Sequence, residues 1–393
     1  MPWERLSRSI LGTELKLIST RQHRKGYLWE VEKLRIGPEI CPKCATPSAS
    51  RYGACSAVVR QEGLWGHPLW IRINKHRYYC KSCRKPFTEP APGVMPRMKT
   101  TQRYRKSLLA ACQSFKSLSK VRVEYQCSSS LVYKVLYEQL EIKLRERKNA
   151  WWPTVVGIDE HFFTRKKGWT EFVTVFTDLK KRKMFEMVQG KDKKSILEQV
   201  KEIPGRERVR VVVIDLSNGY RSLVRELFPN AKIVADKFHA LRLITPALIK
   251  TRKEIQGFKQ DMRMRRLLLK NRKSLDYDLR FEIDRYLREH PKLDAIYRTK
   301  ERLHEFYRAK GINRAYQSIT RLVSDLEKSP YEEIQRLKNT LKNWGEEILN
   351  YFELGYTNAL TEALNRTAKL VQANAYGYKS FRNYRLRTLS ACS

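Results

Sequence analysis

The sequence has no apolar stretch approaching the roughly 18–20 residues needed to cross a bilayer. Its longest runs, such as Val211-Val212-Val213-Ile214, are the length of a strand. The opening residues, Met1-Pro2-Trp3-Glu4-Arg5, lack the apolar segment of a secretion signal, so a soluble cytoplasmic protein with no membrane partner is expected. Cysteine is sparse: eight in 393 residues are too few for a disulfide scaffold of this length. There is no internal repeat and no low-complexity tract. Acidic residues are outnumbered, with 41 Asp+Glu against 80 Lys+Arg, a formal charge of +39. What is plentiful is core material, 41% hydrophobic and 11% aromatic, which excludes wholesale disorder.

A charge of this size calls for an anionic partner. Phosphate backbones attract Lys and Arg by counterion release. A membrane-surface protein usually concentrates its charge on one amphipathic helix, whereas here the charge runs along the whole chain. Nucleic acid is therefore the expected ligand.

The length fits about two to four domains, and pattern divides the chain accordingly. Residues 1–92 hold the paired cysteines and run into a Pro-rich linker, Glu89-Pro90-Ala91-Pro92-Gly93. Residues 100–148 show helical spacing, for example Val132, Leu136 and Leu140, until Trp151-Trp152-Pro153 breaks it. Strands are then expected at Thr154–Asp159, Phe172–Thr177, Lys183–Val188, Val209–Asp215 and Lys232–Asp236. Short polar turns, Arg165-Lys166-Lys167-Gly168 and Lys180-Lys181-Arg182, make the first three an antiparallel meander. Helical stretches at Lys194–Ile203, leading into the fourth strand, and Tyr220–Leu227, between the fourth and fifth, read as right-handed crossovers between parallel strands. Three antiparallel strands followed by αβαβ is the ribonuclease-H-like order. Beyond about residue 242 the chain is long, charged and helical.

Cys41-Pro42-Lys43-Cys44 and Cys80-Lys81-Ser82-Cys83 are two Cys-x-x-Cys knuckles. Each offers two thiolates at a tight turn, and together they complete a tetrahedral S₄ shell for Zn²⁺. Four protein ligands leave no open position, so the metal's role is structural. Leu69-Trp70-Ile71-Arg72-Ile73 and His76-Arg77-Tyr78-Tyr79 read as hairpin strands feeding the second knuckle, across the 35 residues between Cys44 and Cys80. Cys55, His67 and His76 are substitute ligands.

Ser119–Tyr125 reads as a short helix, Gln126-Cys127-Ser128 as a turn, and Leu131–Leu136 as a second helix capped by Ser128 or Ser129. In a helix-turn-helix the first residues of the second helix face base edges, which singles out Ser129, Ser130, Tyr133 and Lys134 as DNA contacts. The turn has Gln126 where glycine is common.

Three apolar strands end in an aspartate: Asp159, Asp215 and Asp236. Carboxylates at the carboxyl ends of strands gather on one rim of a sheet. Neighbouring strands lie about 4.8 Å apart, so Asp159 and Asp215 could share a pair of hard divalent cations, Mg²⁺ or Mn²⁺. Glu160 should face the other side of its strand. A third carboxylate is offered by Glu362, on a polar stripe of Asn358, Glu362, Asn365 and Lys369 at i, i+4, i+7 and i+11 of a helix. Such stripes ordinarily face water, and spacing alone does not decide its direction.

These residues resemble bacterial insertion-sequence transposases of the ISL-three group over nearly the whole chain. The likeness lies in Gly157-Ile158-Asp159-Glu160, Val213-Ile214-Asp215 with Tyr220, Phe228-Pro229-Asn230-Ala231 leading to Ala235-Asp236-Lys237-Phe238-His239, Thr361-Glu362-Ala363-Leu364-Asn365, and the closing Phe381–Arg387 run. The resemblance implies a multidomain α+β chain: an N-terminal zinc ribbon, a helix-turn-helix, and a ribonuclease-H-like α/β catalytic core. That core, residues 153–241 and 353–393, is interrupted by an all-helical insertion at 242–352. It implies a DDE triad of Asp159, Asp215 and Glu362 binding Mg²⁺ or Mn²⁺, with Asp236 and His239 as an accessory pair. It also implies double-stranded DNA as partner, both transposon ends and target, and a homodimer that brings two ends together. The basic helical segment, with Trp344, suits contact with end DNA. The rival expectations are a zinc-ribbon/helix-turn-helix regulator with an inactive core, and a ribonuclease-H-like nuclease without strand transfer.

Overall fold

The computed structural model describes residues 2–393 except 35, 36, 115, 116, 147–149, 167, 168 and 258–260, and describes only the backbone at 2–6, 146, 165, 166, 169 and 170. The chain forms two compact units, residues 1–143 with 374–376, and 144–373 with 377–393. Among the described residues no helix is long and apolar enough to cross a membrane.

The first unit opens with α1 (Pro2–Leu11), β1 (Leu15–His23) and β2 (Gly26–Lys33), followed by a small hairpin of β3 (Glu39–Ile40) and β4 (Pro47–Ser48). Two long strands, β5 (Arg51–Leu64) and β6 (His67–Cys80), and a short β7 (Lys85–Thr88) complete its sheet, in the order β1-β2-β6-β5 with β7 on β6. Leu69, Ile71 and Ile73 alternate inward along β6 and pack with Trp29, Val31 and Val59, the period-two burial of a one-sided sheet. The two segments read as separate hairpin strands, 69–73 and 76–79, are thus one continuous strand. The alternation of burial lapses at Asn74–His76 and resumes at Tyr78 and Cys80, but the pairing with β5 runs unbroken from Leu69 to Arg77. Three helices follow: α2 (Gln102–Gln113), α3 (Leu118–Glu124) and α4 (Ser129–Glu146).

The second unit begins with β8 (Val155–Lys166), β9 (Trp169–Asp178) and β10 (Lys183–Gln189), then α5 (Lys193–Val200), β11 (Val211–Ile214), α6 (Asn218–Leu227) and β12 (Lys232–Ala235). The sheet order is β10-β9-β8-β11-β12, antiparallel among the first three strands and parallel where β11 meets β8 and β12. Val211, Val212, Val213 and Ile214 are all buried, as befits a central strand covered on both faces. The turn expected at 165–168 lies partly outside the described residues.

Helices α7 (Lys237–Arg242), α8 (Thr245–Gln256), α9 (Met262–Leu269), α10 (Tyr277–Arg288), α11 (Pro291–Phe306), α12 (Ile312–Glu327), α13 (Glu332–Asn343) and α14 (Gly345–Leu354) occupy the next stretch, before α15 (Ala359–Asn374) and α16 (Phe381–Ala391). One expectation fails here. Trp344 is 2% exposed and carries the Arg221 guanidinium 3.8 Å from its ring centroid, with Arg221 also paired to buried Glu347 at 2.5 Å. It lies at the joint of α13 and α14 in the core, where its apolar surface outweighs any use as a DNA contact.

Candidate active site and metal centre

Asp159 stands mid-strand rather than at a strand end. β8 continues to Lys166 because β9 pairs with it antiparallel along its length, whereas β11 pairs only with Val155, Val156 and Gly157. The carboxyl rim of the parallel part therefore falls at Asp159. Asp215 follows the last residue of β11 and Asp236 the last of β12.

Glycine at 157 decides what can lie against this rim. A Cβ there would come 2.3 Å from Thr361 Oγ1 and 2.8 Å from Asn358 Oδ1, so only a bare backbone admits α15 this close. Asn358, fully buried, pins the start of that helix: its backbone N–H donates to Asp236 Oδ1 at 2.9 Å and its Nδ2 to the Ile158 carbonyl at 2.8 Å. One turn on, Glu362 has a carboxylate oxygen grouped with Asp236 and His239, each offering a ligand atom within 4.8 Å of the others. The first part of the stripe thus faces the protein, with Asn365 buried as well, while Lys369 is exposed.

Electrostatics tie the remaining acids to this group. Burial raises the Asp159 carboxyl, opposed by hydrogen bonds from Glu160 N and Asn365 and by His239, while Glu362 raises it further. Burial likewise raises Asp215, with Glu160 and Asp159 adding to it and His239 opposing. Glu160, on the other face of β8, accepts from Tyr220 Oη at 2.6 Å. Burial also works on Asp236, but hydrogen bonds from His239 and Asn358 outweigh it and hold that carboxyl low. Asp236 caps α7 and receives His239 Nδ1 at 2.9 Å, which leaves Nε2 as the ring's other polar atom.

A buried chain of hydrogen bonds, not readable from residue spacing, supports Asp159. Asn365 Nδ2 donates to Asp159 Oδ2 at 2.8 Å, so its Oδ1 faces His161 Nδ1 at 3.1 Å. That nitrogen must then carry the hydrogen, and Nε2 accepts from Tyr384 Oη at 2.7 Å. Burial pushes His161 down to about 4, in keeping with a neutral ring.

The donor set suits a hard divalent cation. Asp236, His239 and Glu362 form the close group, Asp159 and Asp215 lie outside it but feel its charges and have raised pKa, and Asp215 Oδ1 is buried with no hydrogen-bond partner among the described residues. An oxygen in that state is costly unless a positive charge meets it.

In the first unit Cys41, Cys44, Cys80 and Cys83 offer four sulfurs within 4.8 Å of one another, none in a disulfide. Cys44 and Cys80 are 3.5 Å apart and Cys41 and Cys83 3.8 Å, close to the edge of about 3.8 Å that a tetrahedron with Zn–S of ~2.3 Å requires. Each knuckle is followed by a left-handed residue, Ala45 (φ 57°) and Arg84 (φ 54°), which turns the chain back. Cys55, His67 and His76 lie outside the cluster; His76 instead sits against Glu89.

Gln126 takes the left-handed conformation (φ 45°) between α3 and α4, doing what glycine does more cheaply, and Ser128 Oγ accepts from Leu131 N at the start of α4. Ser129, Ser130, Tyr133 and Lys134 are exposed, while Val132, Val135, Leu136 and Leu140 are buried.

A rim of carboxylates on a mixed sheet is the donor set that metal-dependent phosphodiester enzymes use. The chain belongs to the ISL-three family of DDE transposases, whose profile, described as Transposase, matches residues 156–388, more than half its length. It is 21% identical over 366 residues to the transposase for insertion sequence element IS1001 of Bordetella parapertussis, covering 90% of this chain and 88% of that protein. A shorter match, 31% identical over 107 residues, is to a Lactococcus lactis subsp. lactis protein named ATP-dependent protease, covering 27% of this chain and 33% of that one.

Proposed function

We propose that this DNA transposase binds the terminal inverted repeats of its insertion sequence, cuts the strand there and joins the freed 3′-hydroxyl to target DNA. In this reading the core is ribonuclease-H-like, interrupted by the helices between β12 and α15, and its triad is Asp159, Asp215 and Glu362. The observation that supports it is the seating of α15 against Gly157, with Asn358 and Asn365 bound to β8, on a helix whose Glu362 lies with Asp236 and His239 and acts electrostatically on Asp159.

Asp159, Asp215 and Glu362 would hold Mg²⁺ or Mn²⁺, which would supply activation of the attacking water or hydroxyl and charge stabilisation of the leaving oxygen. Asn365 fixes the rotation of the Asp159 carboxylate. Asp236 orients His239, so that only Nε2 can meet the substrate side, and pins the helix that bears Glu362. A buried Asp215 oxygen, free of hydrogen bonds, is preorganised and needs no reorganisation before reaction. The four cysteines hold a structural Zn²⁺. Ser129, Ser130, Tyr133 and Lys134 meet end DNA, and two copies act together because two ends must be joined.

The test is strand cleavage and joining on a labelled end substrate with Mg²⁺. Asp159→Ala, Asp215→Ala and Glu362→Ala should each abolish both steps while end binding persists. Full cleavage by any one of them overturns the triad, and hydrolysis without joining by the unaltered protein reassigns it as a nuclease.

A further inference from the structure

At the other end of the same sheet lies a cavity of about 340 Å³. It opens around Thr154, just before β8, and Asp178, the last residue of β9. Asp159 is five residues further along, about 17 Å at a strand's rise per residue. The cavity is therefore separate from the carboxylate rim.

Its wall combines a half-exposed indole with concentrated positive charge. Trp151 is 53% exposed and carries the Arg208 guanidinium 5.0 Å from its ring centroid. Gly205 (φ 87°) lies against it, and a Cβ there would come 2.9 Å from the indole, so the loop is shaped to the ring. Lys180, Lys181 and Lys183 line the same cavity. Asp178 is the acid in this wall, and its Oδ1 is spent on the backbone N–H groups of Lys180 and Lys181, at 3.1 and 2.9 Å, which builds the turn presenting those lysines. Among the described residues none of the four cations is in an ion pair, whereas Arg221, Lys232 and Arg385 in this unit each have a carboxylate.

Cations around a cavity with no carboxylate partner attract phosphate. An indole half open to solvent beside them is a stacking platform, and a base can use it only when it is out of the duplex. We propose that this cavity takes one unpaired nucleotide of a DNA strand, the base against Trp151 and the flanking phosphates among Lys180, Lys181, Lys183 and Arg208. From the preceding reading it borrows only that DNA is the polymer handled. At that distance from Asp159 the nucleotide held is not the one cut.

The experiment measures binding of labelled oligothymidylate and of a hairpin duplex of equal length by the full chain, in parallel with mapping of photocross-links from a bromodeoxyuridine-substituted oligonucleotide. Stacking is worth about 1–3 kcal/mol per base. Trp151→Ala should accordingly weaken single-strand binding about 5- to 150-fold, with duplex binding nearly unchanged and Trp151→Phe restoring most of the loss. Lys180→Ala with Lys181→Ala should flatten the salt dependence of single-strand binding by about 1.4 in log–log slope. The cross-linked peptide should contain Trp151, also in Asp159→Asn protein that cannot cleave, so failure of the catalytic reading and failure of this one are distinct. Equal losses on single strand and duplex, unchanged single-strand binding in Trp151→Ala, or cross-links confined to other peptides would each overturn it.

Discussion

Asn365 Nδ2 and Asp159 Oδ2 meet at 2.8 Å across 206 residues of sequence, and the contact is one link in a buried series through His161 to Tyr384. Each hydrogen in the series has a determined place. Asn365 can serve both neighbours only with its NH₂ toward the carboxylate, and His161 only as the Nδ1–H tautomer.

Breaking the series at its catalytic end should be read in metal dependence. Asn365→Leu frees the Asp159 carboxylate to rotate, and loss of such a supporting contact costs about 10–100-fold in metal affinity. The half-saturating Mg²⁺ concentration for cleavage should rise accordingly. Tyr384→Phe acts at the other end, leaving His161 Nε2 a buried acceptor without a donor, at a cost of about 1–3 kcal/mol in unfolding free energy by urea titration.

Gly157→Ala should be far more damaging than its size implies. The new methyl would meet Thr361 and Asn358, displacing α15 and with it Glu362. Overpacking costs about 1–3 kcal/mol, and a misplacement near 1 Å can cost about 10²-fold in rate. Cleavage should drop by about that factor while end binding is unchanged.

The cysteine cluster predicts a metal content. Protein purified without added zinc should carry one Zn²⁺ per chain by elemental analysis, and Cys80→Ser should lose it together with end binding. Recovery of zinc-free, folded, DNA-binding protein would remove the site.

Trp344 separates core from interface. Trp344→Ala should cost about 3–5 kcal/mol in stability, as expected for a large buried aromatic. The fraction that remains folded should bind DNA with unchanged affinity, since the ring is covered by Arg221 and the surrounding helices.

What could be read from the sequence was local. Apolar runs capped by aspartate located β8, β11 and β12, because a buried strand must be apolar and the acid ends its burial. Two cysteine pairs announced their cluster through spacing alone. The length of β8 beyond Asp159 was missed because His161 and Thr164 look polar, although His161 is buried by partners from α15 and α16. The direction of the Asn358–Glu362–Asn365 stripe was undecidable locally, since it depends on a missing side chain at Gly157, two hundred residues earlier. Trp344 beside many basic residues looked like an interface for the same reason: the guanidinium over its ring comes from Arg221, more than a hundred residues earlier, a contact that leaves no trace in neighbouring sequence.

The long reach between Asp159 and the helix that steadies it also has a consequence in time. A ribosome adds about 5–20 residues per second, so the 206 residues that separate Asp159 from Asn365 take roughly ten to forty seconds to appear. If the proposed function holds, the nascent polypeptide throughout that interval carries the segments assigned to end binding but not Glu362, so it would be able to occupy DNA before it could break it.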